Sequence, residues 1–209
     1  ISYINQLVIN NNDVNTLEIP DVYISKLMLN NDILYAFGTK KEESGLVSYL
    51  YIIDSVLSIR KTIDISASGT SQYKALFIDN YLYFSNLMDR EDKPGKVVGK
   101  LNLIDNNIEN IELDYEYPSD LVQYNDYLLI AHCNLMSNEG NVLSFYNIKN
   151  ENIDIVKLDH PITQMNIKGD VLYIIDGSHL YQYSLNQEDI SNLSLLKKID
   201  ILQNENSKD

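Results

Sequence analysis

Asp79-Asn80-Tyr81-Leu82-Tyr83-Phe84-Ser85-Asn86, DNYLYFSN in one-letter code, decides the reading of this chain. Two residues that accept the positive φ of a tight turn lead into an aromatic-rich run of strand length. The same phrase returns as NDILYAFG from Asn31, NDYLLIAH from Asn125 and GDVLYIID from Gly169. Its second positions, Asp32, Asn80, Asp126 and Asp170, are 48, 46 and 44 residues apart. Such regular spacing means that one supersecondary unit is repeated along the chain.

Two further strands follow each copy at a fixed distance. The first set reads SYLYIIDS from Ser48, GKLNLIDN from Gly99, LSFYNIKN from Leu143 and LYQYSLNQ from Leu180, with INQLVINN from Ile4 as an extra copy near the start. The second reads KTIDI from Lys61, NIELD from Asn110, IVKLD from Ile155 and KKIDI from Lys197, with NTLEI from Asn15 as the extra copy. Alternation of apolar and polar residues buries one face of each strand. With the strand before each turn, the unit has four strands, a to d, and a–b turns at Asn31-Asp32, Asp79-Asn80, Asn125-Asp126 and Gly169-Asp170.

This pattern resembles the β-propeller repeat proteins over almost the whole chain. The resemblance rests on the four-strand period: there is no Trp for a Trp-Asp dipeptide, no DxDxDG-type calcium loop and no Kelch double glycine. It implies an all-β propeller in one domain, residues 1–209, with four complete four-stranded blades at 21–65, 66–117, 118–160 and 161–201 and a tail at 202–209. Residues 1–20 supply only strands c and d, a partial N-terminal blade. The chain is therefore expected to be part of a larger or closed propeller, with residues 1–20 completed by upstream strands or paired at their edge with another molecule. A β-sandwich or β-solenoid is the alternative architecture, disfavoured by the four-strand period.

Composition narrows the function classes. The 209 residues carry 16 Lys and Arg against 30 Asp and Glu, a formal charge of −14. Such a field repels phosphate backbones and anionic lipid, so no nucleic-acid or membrane-surface partner is expected. The longest apolar runs are strand-length, far short of a membrane-spanning segment. Cys133 is the single cysteine, and the first residue is Ile1, which reads as a mature or trimmed chain. Abundant Asn, Ile, Lys and Tyr point to a low-GC bacterium. The expected location is extracellular or cell-envelope attached, with the cytoplasm the alternative.

In propellers similar to this one, ligands meet the rim built by the d–a and b–c loops. Here the d–a loops are 20–21, 66–71, 117–120 and 160–161, and the b–c loops are 39–45, 86–95, 134–140 and 176–179. All three histidines, His132, His160 and His179, fall on that rim within two adjacent blades. Three imidazoles could hold zinc or copper. They lack ligand spacing in the sequence, so no transition metal is expected. A nucleophile made of Cys133 with His132 or His160 is disfavoured, because Cys133 continues strand b as a small buried hydrophobe.

SNLM at 85–88 and CNLM at 133–136 place Asn86, Met88, Asn134 and Met136 at matching positions, 48 residues apart. Their apolar side chains offer either a partner patch or, as the favoured reading, a cluster tucked under the loop. Asp89 and Arg90 open a charged loop tip where Arg90 and Lys93 argue against a calcium cage. Asp176 completes the rim set. The 16 tyrosines recur at positions such as Tyr81 and Tyr83 or Tyr181 and Tyr183, read as one ring buried and one facing out. The resulting expectation is a non-enzymatic binding or scaffold domain recognising a protein or small ligand at the rim, without cofactor or catalytic residue. The alternative is a propeller enzyme of lyase, hydrolase or lactonase type, with a rim metal or carboxylate site.

Overall fold

Alternating strands joined by two-residue turns can only zip into antiparallel hairpins, and the computed structural model, which describes residues 1–8, 13–43 and 45–201, consists of them. Strands β1 (Ser2–Val8) and β2 (Asp13–Ile19) form a two-stranded sheet. The first four-stranded sheet follows as β3 (Tyr23–Asn30), β4 (Ile33–Glu42), β5 (Gly45–Ile53) and β6 (Ile59–Asp64). A 3₁₀ turn at Ser66–Ser68 leads to β7 (Thr70–Ile78), β8 (Tyr81–Met88), β9 (Pro94–Asn102) and β10 (Ile108–Glu112). The third sheet is β11 (Pro118–Tyr124), β12 (Tyr127–Asn134), β13 (Glu139–Asn147) and β14 (Ile153–Lys157). The fourth is β15 (Gln164–Lys168), β16 (Val171–Ile175), β17 (His179–Ser184) and β18 (Ser194–Asp200). Within each sheet the strands stand in chain order, every neighbour antiparallel: four complete blades and a two-stranded partial one.

The turn residues do the work assigned to them. Pairs Asn30↔Ile33, Ile78↔Tyr81, Tyr124↔Tyr127 and Lys168↔Val171 close the a–b hairpins over two residues. Asn31, Asp32, Asp79, Asn125 and Gly169 lie at φ of 48°, 61°, 51°, 50° and 58°, a region open to Gly, Asn and Asp. Between strands c and d a side-chain carbonyl or carboxylate accepts a backbone N–H two residues on: Asp54 from Val56, Asn102 from Ile104, Asn147 from Lys149 and Asn186 from Glu188. These Asx turns end one strand and aim the next.

The b–c hairpins are tighter than expected. β8 continues to Met88 and β9 starts at Pro94, with Asn86↔Val97 and Met88↔Pro94 still paired. Asn86 and Met88 are therefore strand residues, and so are Thr39 to Glu42 at the end of β4. The tyrosine pairs also need correcting. Residues i and i+2 share a face, and Tyr181 and Tyr183 are both buried at 5% exposure.

Two compact units divide the chain, Ile1–Leu113 and Asp114–Asp209. In the first, Tyr35, Phe37, Leu50, Ile65, Leu82, Phe84 and Leu101 form one apolar cluster, with the Phe37 and Phe84 rings 5.3 Å apart. Gly99 pairs across from Phe84, and its missing side chain makes room for that ring: a Cβ there would lie 2.2 Å from Phe84 Cζ. Ile4 and Ile19 of the partial blade pack with Val22, Ala36, Tyr51 and Ile53. In the second unit, Leu129, Leu143, Phe145, Ile162, Leu172 and Ile174 are fully buried in a single cluster. Each such side chain contributes about 1.5–3 kcal/mol by leaving water.

Candidate functional site

In the second unit the d–a and b–c loops gather five sequence-singled residues into two structural groups. The larger is built on β17. Period two puts Tyr181 and Tyr183 side by side, with ring centroids 6.4 Å apart and planes 18° apart. His160, from the loop after β14, lies flat on Tyr181 at a centroid distance of 3.5 Å and an interplanar angle of 7°. Its Nδ1 is 2.8 Å from the Pro161 carbonyl and its Nε2 2.8 Å from the Tyr183 hydroxyl. A carbonyl only accepts, so in the neutral ring Nδ1 carries the hydrogen and Nε2 accepts the phenol proton. Both nitrogens are thereby committed to structure.

Asp176 is the hub of the adjacent loop. Its carboxylate accepts the N–H groups of Ser178 and His179 at 2.8 and 2.7 Å, the Tyr181 hydroxyl at 3.0 Å and His179 Nδ1 at 3.0 Å. Burial alone would raise this carboxyl, but the donors outweigh it and hold Asp176 well below the usual carboxylate range. Burial pushes the Tyr181 phenol up to about 12, with its hydrogen bond to Asp176 adding to the rise. Tyr183 is pushed up to about 12, again chiefly by burial. His179 Nε2 lies 3.2 Å from Asp200, so this ring bridges two carboxylates. Lys198 Nζ stands 5.3 Å above the Tyr181 ring. Sequence reading named His160, Asp176 and His179 as rim residues; it named both tyrosines only as a strand pair facing opposite ways, whereas their i, i+2 spacing puts them on the one face that meets His160.

The b–c loop after β12 is tied to this group by one bond, Asn138 Nδ2 to the Asp176 carbonyl at 3.0 Å. Asn134 accepts the Met136 N–H at 3.0 Å, which lifts Met136 to 93% exposure at the loop tip. The favoured reading of Met136 as tucked under its loop is therefore wrong, since the Asx turn points its side chain outward.

His132 lies elsewhere, inside β12 at 3% exposure. Nδ1 donates to the Glu116 carbonyl at 3.1 Å, Nε2 accepts from the Ser144 hydroxyl at 2.8 Å, and Tyr115 meets the ring edge-on. Burial lowers its pKa from 6.5 to about 4. As pH falls, the unfolded chain binds this proton first, so the neutral ring's full stability holds above about pH 6.5 and is lost toward pH 4. The expected loss is roughly 3 kcal/mol. Urea unfolding at pH 7 and pH 4.5 should show it, and His132→Gln should shrink the difference. Cys133 beside it is buried, which raises its thiol.

In the first unit, Asn86 is buried, accepting from Gln72 Nε2 at 2.9 Å and donating to the Val97 carbonyl at 3.3 Å. Asp89 turns the loop by accepting Glu91 and Lys93 N–H groups at 2.8 and 2.9 Å. Arg90 is exposed and Met88 half-buried. Among the described residues, no group of three or more His, Cys, Asp or Glu is arranged to hold a metal ion.

No protein-family model matches the chain, and no curated protein matches it. Solved structures do. A hypothetical selenium-binding protein from Sulfolobus tokodaii superimposes with a TM-score of 0.63 at 13% identity, over 95% of this chain and 56% of its own. BamB from Moraxella catarrhalis gives 0.54 at 12% identity, over 83% and 49%. BBS1N, solved in complex with ARL6DN, gives 0.55 at 13% identity, over 90% and 57%. The chain spans about half the length of these neighbours. They are β-propellers, and at this identity the likeness establishes the fold: all-β, of propeller type.

Proposed function

We propose that this chain is a non-enzymatic binding domain that recognises a protein or small ligand through the b–c and d–a loops. One observation carries the reading: the buried histidines spend both ring nitrogens on structural partners, while the loop exposes an apolar side chain, Met136, next to an Asx turn. A general base needs a free lone pair within reach of a substrate; an exposed thioether beside amide groups instead offers an adaptable contact. BBS1N, a propeller neighbour, was solved in complex with ARL6DN, and that use of the fold supports the reading. An exported bacterial setting, suggested by composition, belongs to the same proposal.

The test is affinity capture with wild-type protein as bait, followed by titration of the captured partner against Met136→Asp and Asn138→Ala. Loss of a loop anchor should weaken binding about tenfold, the scale of 1–2 kcal/mol for an interface contact, with unfolding midpoints unchanged. Equal binding by both variants overturns the surface. Turnover of an ester, lactone or uronate glycoside that His179→Ala abolishes would establish the enzyme reading in its place.

A further inference from the structure

Within the first unit the repeat is interrupted at β1. In every four-stranded sheet strand c pairs on both sides, as β5 does with β4 and β6 and β9 with β8 and β10. β1 occupies the c position and, among the described residues, pairs with β2 alone. Its other edge presents backbone N–H and C=O groups of the kind that recruit a strand.

The next sheet records what belongs there. Leu27, Ala75, Leu121 and Met165 each stand three residues before the end of strand a. Ala75, Leu121 and Met165 are 6%, 2% and 6% exposed, whereas Leu27 is 46% exposed. Ala75 shares a cluster with Tyr35 and Phe37 of β4, and Met165 shares one with Leu129 and Ala131 of β12. In both cases the cover comes from the b strand of the preceding sheet. Two residues on, Phe77 packs edge-on against Tyr35 at 5.1 Å, while its counterpart Leu29 is 70% exposed. Among the described residues, the sheet preceding Leu27 and Leu29 has no a–b hairpin. At that place lies a groove of about 320 Å³ lined by Ile4, Gln6, Leu27, Leu29, Leu34 and Leu57.

We propose that this groove and the open edge of β1 bind an amphipathic β-hairpin that is not part of residues 1–209, adding to β1 as β8 adds to β9. The occupant has two strands of eight or nine residues, like β7 and β8, with apolar side chains at every second position facing Leu27 and Leu29. Asp32 and Asp54 line the groove and Arg60 pairs with Asp54, so charge adds little preference and a neutral turn suits the site. Main-chain pairing gives affinity and alternate side chains give specificity in such strand addition. The groove is lined by residues of the first unit and the loops belong to the second, so the two proposals rest on different residues and either can fail without the other.

The probe is a synthetic peptide with the sequence of residues 70–88 carrying Asp79→Asn and Asn80→Gly, and the readout is amide exchange along the 209-residue chain. Saturating peptide should slow exchange in β1 by at least about tenfold and leave β12 unaffected. A peptide of the same composition without alternation should do nothing. Leu27→Asp with Leu29→Asp should abolish the protection while β8 and β9 of the same unit exchange as before, which shows that the first unit is still folded. Three results overturn the proposal: β1 as protected as β9 in the monomer alone, protection of β1 that grows with protein concentration without peptide, which assigns the edge to a second copy, or peptide protection that survives both Asp substitutions.

Discussion

Phe84→Ala should destabilise the first unit by about 3–5 kcal/mol, the range for emptying a buried aromatic site. Phe84 is fully buried, meets Phe37 at 5.3 Å and fills the space that Gly99 leaves free on the neighbouring strand. The informative experiment is a double-mutant cycle. Gly99→Ala alone sets a methyl against three ring carbons at 2.2, 2.4 and 2.7 Å, so the ring must move or the strands must separate. In the Phe84→Ala background that conflict is gone and the methyl fills part of the cavity. Gly99→Ala should then be neutral or stabilising, giving a coupling of at least about 1 kcal/mol. Urea unfolding followed by far-ultraviolet circular dichroism reads all four proteins. Additive effects would show that glycine at 99 is not there for the ring.

The second large effect is expected at Asp120. This buried carboxylate on β11 accepts the Met165 N–H of β15 at 2.6 Å and the Leu121 N–H at 2.9 Å, tying together the first strands of two successive sheets in the second unit. Asp120→Ala leaves a buried donor on Met165 without this acceptor, at a cost of about 2–3 kcal/mol. Asp120→Asn keeps one acceptor oxygen and should fall between. Amide exchange at Met165 discriminates the local from the global effect: it should rise more than that of Leu172 in the alanine variant. An unchanged Met165 amide would show that the bond contributes nothing.

The strands and their pairing were legible because tight turns and alternation are local signals. Asn125-Asp126 in front of YLLIAH specifies a hairpin whatever lies on either side. Burial of His132 was not legible: β12 is buried on both faces from Leu128 to Cys133, so alternation carries no information about which side a polar residue takes. Its partners, Ser144 and the Glu116 carbonyl, are cross-strand and loop groups that only pairing register brings near. The joining of His160 to Tyr181 and Tyr183 depends in the same way on how one sheet lies against the next. Asp176 with His179 was readable as a loop pair, being three residues apart. Exposure of Leu27 and Leu29 was not legible either, because it depends on which strands the partial blade supplies to cover them.

The turns have a further consequence for the acidity of the chain. Asp21, Asp32, Asp79 and Asp92 adopt positive φ, and Asp54, Asp64, Asp89, Asp105 and Asp176 each accept a backbone N–H in a turn. Asparagine performs both tasks at Asn31, Asn102, Asn125 and Asn147 in the same repeat. Wherever the carboxylate has no cationic partner, charge and backbone geometry are therefore separable: an aspartate can become asparagine and keep its turn. Much of the −14 charge is thus a variable that selection can set for solubility or partner choice without rebuilding a blade.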